Sequence, residues 1–203
     1  PLGVTEKKAL ESDIDQMPVD LNEASVFRLI VAQLLQRDEN LFGGQLTNSE
    51  RHLFLKELAF VISKQGNDNY VSNRVIRALV ERLFALKIHS HETPEIVAEQ
   101  YFRACRRAAG LSVEKTAAGL TRDIEDWDSR VGFSHNALRE YLYAEFVREH
   151  LFGDRAVSLF FNATISDQTV TFLGYMLGDD ENQKLLSEIQ GHGRLREFAF
   201  DIA

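Results

Sequence analysis

The chain is poor in the residues that staple, break or anchor a fold. Among 203 residues there is a single cysteine, and prolines occur only at Pro1, Pro18 and Pro94. One thiol excludes an intramolecular disulfide framework. Cys105 has Phe102, Ala104 and Ala108 as neighbours, which places it on the apolar side of a helix as a buried thiol of a cytoplasmic protein. No apolar run approaches the ~20 residues that span a bilayer, and the start lacks the charged, apolar and small-residue order of a secretory signal, so no membrane partner is expected. An excess of basic residues is also missing. Lys and Arg number 23 against 31 Asp and Glu, a net charge of −8, which argues against nucleic acid as the principal partner. Finally, Pro1-Leu2-Gly3 stands where an initiator methionine belongs, which points to a piece of a longer protein, these three residues being native or a cloning remnant.

What is present is helix-period apolar spacing from end to end, with 44% hydrophobic residues to fill a core. Asp20 followed by Glu23 has the form of a capping box, opening a helix whose stripe is Ala24, Phe27, Ile30, Val31, Leu34 and Leu35. Thr47 and Glu50 repeat the device ahead of Leu55, Leu58, Ala59 and Ile62. The turn from Lys64 to Asn69 precedes a helix capped by Ser72 that carries Ile76, Leu79, Val80, Leu83 and Phe84. Thr93-Pro94 starts a fourth helix, ending near Ala109 at Gly110. An irregular link over residues 111–128 leads into a short strand, "WDSRVGF", ending at Phe133. Helix resumes at Ser134 or Asn136 and runs to about Leu151, stopped by Gly153, and shorter helices follow, with Ser166, Asp179 or Asp180, and Gly191 to Gly193 as punctuation. The fold class expected is mainly α, multi-helix, with a short β element.

Few groups point to chemistry. His89-x-His91-Glu92 would present two imidazoles on one side if it formed a strand, but further ligands at recognisable spacing are missing and a solvated loop is the simpler reading. Ser134-His135 are adjacent, which does not make a nucleophile and base, and no Gly-x-Ser-x-Gly elbow occurs. Arg103, Arg106 and Arg107 read as a solvated face paired with nearby glutamates. "GYMLGDDE" (174–181) imitates a magnesium-holding acidic motif, but Gly178 interrupts it and Asp179 suits a helix start. There is no Gly-Lys dipeptide, hence no phosphate-cradling P-loop. No catalytic residue and no metal ligand is assigned.

One stretch carries more. Phe133-x-His135 followed by "ALREYLYAEFV" (137–147), with Glu140, Tyr141 and Ala144, resembles the signature near the end of the winged-helix region in NACHT-type NTPases of the STAND signalling class. "SERHLFLKELAFVISKQG" (49–66) is similar to the helix that opens that region, and "VFRLIVAQLLQRDE" (26–39) to the helix that ends the preceding small helical domain. The resemblance implies three portions: 1–46, the end of a small helical domain; 47–152, a winged-helix-like domain; and 153–203, the start of a helical sensor or linker region. It implies a regulatory fragment, not itself an enzyme, of a signalling ATPase whose nucleotide domain lies upstream in the same chain. Such proteins serve innate immunity or bacterial anti-phage defence and form homo-oligomers on activation. ATP, ADP and magnesium would belong to the full-length parent and no cofactor to this fragment.

In that family a histidine at this place reaches the terminal phosphate of bound ADP, and the resemblance gives His135 the same role in the parent. Elementary physics agrees with the position, since the first turn of a helix offers unpaired N–H groups and about half a positive charge. Without the family, a histidine at a helix start is a capping or surface residue. The alternative function is a stand-alone winged-helix module that binds nucleic acid or protein, for which the helix from Ser72 to Leu86 offers Arg74, Arg77 and Arg82 beside Glu81. Phe133, Leu138, Tyr141, Leu142 and Phe146 are expected in the core, and Glu140 in a buried polar contact or an arginine pair.

Overall fold

The computed structural model describes residues 22–42, 46–66, 69–114, 129–151 and 165–183. It is mainly helical with one small sheet. Helix α1 spans Glu23–Phe42 and is capped by Asn22, whose Oδ1 accepts the Ser25 N–H at 2.9 Å. The expected cap, Asp20, lies outside the described residues. Ala24, Val31 and Leu35 are buried, but Ile30 is 38% exposed, off the expected stripe, because α1 is covered along one side only.

Helix α2 (Asn48–Lys64) opens with the full capping box, the Thr47 hydroxyl accepting the Glu50 N–H and the Glu50 carboxylate accepting the Thr47 N–H at 2.9 Å. Leu55, Leu58, Ala59 and Ile62 are buried as their spacing requires. Strand β1 (Tyr70–Ser72) follows, then α3 (Asn73–His89), bent at Phe84, and α4 (Pro94–Arg106), which ends three residues before the expected stop at Ala109. Gly110 takes φ +86, and a Cβ there would meet Leu138 Cδ2 at 2.6 Å, so glycine fixes both the turn and its packing on the next helix. Strands β2 (Leu111–Glu114) and β3 (Arg130–Phe133) complete the sheet.

The strand order is β1-β3-β2, antiparallel throughout, with Val131 paired to Val71 on one side and Val113 on the other. From residue 48 to 133 the described elements thus run helix, strand, helix, helix, strand, strand, and the first strand pairs with the last. Only β3 was expected. Ser72 does precede a helix, but its side chain makes no capping bond and it ends a strand as well.

Helices α5 (Asn136–His150) and α6 (Asp167–Met176) finish the described fold. The Ser166 hydroxyl caps α6 by accepting the Thr169 N–H. Helix α5 is central: Leu138, Tyr141, Leu142, Tyr143, Ala144, Phe146 and Val147 are buried against α2 on one side and α6 on the other. Phe27, Tyr141 and Phe172 form an aromatic cluster joining α1, α5 and α6, with centroids 5.1–5.7 Å apart. One hydrophobic core runs from Ala24 to Leu177. The expected core residues Phe133, Leu138, Tyr141, Leu142 and Phe146 all lie in it, as does Cys105, which is fully buried. No helix among the described residues is long and apolar enough to cross a membrane.

Candidate functional site

The strand that carries Phe133 also aims His135. Phe133 is buried and locked from two sides: the Asn69 side-chain amide donates to its carbonyl at 3.0 Å, and the next N–H, of Ser134, donates to the Gly110 carbonyl at 2.8 Å. Gly132 permits this, because a Cβ there would fall 2.1 Å from the Asn69 carbonyl oxygen. The chain then turns outward. His135 is the N-cap of α5, in extended backbone (φ −137, ψ 130), exposed to solvent, and its side chain makes no capping bond. The first-turn N–H groups of α5 therefore stay open beside an imidazole free to donate, which is an arrangement suited to an anion brought from outside.

Behind His135 the same helix end borders a cleft of about 250 Å³ lined by Ser63, Gly66, Asn69, Asn136, Arg139, Glu140, Ser166 and Thr169. Glu140 does meet an arginine, Arg139, but only at 3.5 Å. The chain matches no known family, no characterised protein and no solved structure.

A second cleft, about 510 Å³, opens between α1, α5 and the end of α6, with Arg28, Tyr141, Glu145, Arg148, Tyr175 and Glu181 among its walls. Its polar groups are mostly engaged within the protein. Glu145 takes the Tyr141 hydroxyl at 3.0 Å and His52 Nε2 at 2.7 Å, and Arg148 pairs with Glu181 at 3.2 Å. Burial, followed by the charge of Glu145, pushes the Tyr141 hydroxyl far above its ordinary pKa, so it stays protonated and donates. This network was missed in the sequence, although the i, i+4 spacing of Tyr141 and Glu145 was visible; the long-range partner His52 was not.

Among the remaining groups flagged by the sequence, Arg77 and Arg103 share Glu99 as a partner. His89, His91 and Glu92 are exposed at the end of α3 and in the turn after it, not in a strand. Arg103 pairs with Glu99 at 2.7 Å, and Arg106 donates to the Ser129 hydroxyl at 3.2 Å. Asp179 and Asp180 are exposed in a helical turn whose start is capped by Glu181, which accepts the Gly178 N–H at 3.1 Å. Of the α3 arginines, Arg77 is tied to Glu99 at 2.6 Å and lies over the Phe102 ring, and Arg82 pairs with Glu57 at 2.8 Å.

Proposed function

We propose that the chain is the helical and winged-helix-like regulatory portion of a nucleotide-switched signalling NTPase of the NACHT/STAND class. In this reading it converts the ADP or ATP state of an upstream nucleotide domain into oligomerisation or effector activation in the cytoplasm. The observation that carries the proposal is the placement of His135: exposed, uncapped, at the open end of the helix that packs against both α2 and α6. Further support comes from the run of elements over residues 48–133, which is the order a winged-helix domain needs.

In the resting state His135 donates to the terminal phosphate of ADP held by the upstream domain. ATP places another charged group at that contact and the two domains part. A charge-assisted hydrogen bond contributes about 1.5–3 kcal/mol, sufficient to bias two domain arrangements that differ by a few. The ion pairs on Arg77 and Arg82 weigh against the nucleic-acid alternative, because they occupy two of the three basic groups that a recognition helix would need. The test is calorimetry of ADP against this chain alone and against a longer protein that contains the upstream segment. The reading predicts no measurable binding to the chain and tight binding to the longer protein. Micromolar ADP affinity of the chain itself, or an upstream segment with no Gly-Lys-Ser/Thr loop, would refute it.

A further inference from the structure

We propose that the cleft between α2, α5 and α6 binds a small oxyanion that carries its own proton, such as hydrogen phosphate or the singly ionised form of a phosphate monoester. This cleft is independent of the signalling reading, since His135 is not among the residues lining it. Three observations converge on it. Ser63, only 5% exposed, lines the cleft and brings a hydroxyl to it. Arg139 also lines it, with its side chain 15% exposed and its Nε buried and without an acceptor. Its one ion-pair contact, to Glu140, is at the outer limit of hydrogen bonding and leaves most of the guanidinium fork available.

The third observation is the field. Asn136 begins α5, whose first turn has no side-chain cap, and Ser166 and Thr169 bring the first turn of α6 to the same space, so two positive helix ends converge there. The volume, about 250 Å³, holds a phosphate group with several waters at the ~30 Å³ share of each water in the liquid. Acceptors define the rest of the ligand. Glu140 and the Asn69 Oδ1, which has no donor, face an occupant that must give a proton as well as take several. Both forms of phosphate present near neutral pH have a P–OH group that does so, whereas a bare carboxylate does not.

The test is a titration of inorganic phosphate into the chain at constant ionic strength, followed by NMR at the Arg139 Nε–H and at the Asn136 and Thr169 amides. Acetate serves as the control anion and phenyl phosphate as the monoester. Saturable shifts with phosphate and none with acetate are expected. Arg139→Gln should weaken binding about tenfold, the loss of a charge-assisted contact, and Glu140→Gln should tighten or preserve it. Phenyl phosphate binding as well as free phosphate would support a monoester ligand, and weaker binding would support the free anion. Should Arg139→Gln fail to fold, Ser63→Ala, which removes one hydroxyl, is expected to weaken binding instead. Shifts that never saturate, an equal response to acetate, or binding that survives unchanged in folded Arg139→Gln or Ser63→Ala would overturn the proposal.

Discussion

Glu145 on α5 holds His52 on α2, with Oε2 lying 2.7 Å from Nε2, across 93 positions of sequence. The other carboxylate oxygen takes the Tyr141 hydroxyl, so one side chain satisfies two groups in the packed seam between the helices. Glu145→Ala removes both partners at once. It should lower unfolding stability by about 1–3 kcal/mol, the usual cost of leaving such groups unpaired. The Arg148–Glu181 pair, by contrast, is exposed on both sides, and Arg148→Ala should cost under about 1 kcal/mol. Urea unfolding of the two variants side by side checks the order, and equal midpoints would contradict it.

Gly132→Ala should be among the most damaging single-methyl changes in the chain. The added carbon would lie 2.1 Å from the Asn69 carbonyl oxygen and 2.8 Å from the Tyr70 ring, and backbone cannot yield as a side-chain tip does. The central strand would have to shift, at a cost of more than about 2 kcal/mol. Because β3 leads directly into His135, NMR shift changes should extend from Asn69 to the first turn of α5. A fully stable variant with an unchanged spectrum would show that the strand approach is looser than described.

Arg51 is 1% exposed, and neither terminal nitrogen has a hydrogen-bond partner among the described residues. Nearby Asp38 is equally buried, and burial raises its pKa despite the Ala109 N–H it accepts at 2.6 Å. Desolvating two charges without a bond between them adds little. The double variant Arg51→Met, Asp38→Asn, which retains an acceptor for Ala109, should be as stable as the parent or up to about 3 kcal/mol more stable. Thermal unfolding decides, and a large loss would show that the charges are paired in solution.

Acid should unfold the protein through its bridging glutamates. Burial alone would raise Glu50 and Glu99, but Lys87 and Thr47 at the first, and Arg103 and Arg77 at the second, outweigh it and hold both below the ordinary 4.5. Their contribution is complete above 4.5 and is lost as pH falls through the lowered native values. Asp38, with a raised pKa, acts in the opposite sense, gaining stability as it protonates. Stability measured against pH should therefore fall below about 4.5, and Glu99→Gln should flatten that fall. An unaltered acid limb in Glu99→Gln would contradict the assignment.

How much of this was legible in the sequence follows the range of the signal. Helices α2 to α5 announced themselves through apolar spacing and, at α2, through the Thr47–Glu50 capping box, because both act within a few residues. Strands β1 and β2, three and four residues long, are too short to display a period, and their pairing with β3 depends on contacts across some twenty to sixty positions. His135 was legible as a helix start, and its exposure agrees with that reading. The Arg139 cleft was not legible, since Ser63, Asn69 and Ser166 reach it from separate elements.

The role proposed for His135 is a phosphate contact made across a domain boundary. The decisive measurement is the release rate of a fluorescent ADP analogue from the longer parent protein, with and without His135→Leu. Loss of one charge-assisted hydrogen bond predicts release about tenfold faster or more. A rate unchanged in a variant that folds normally would contradict the account.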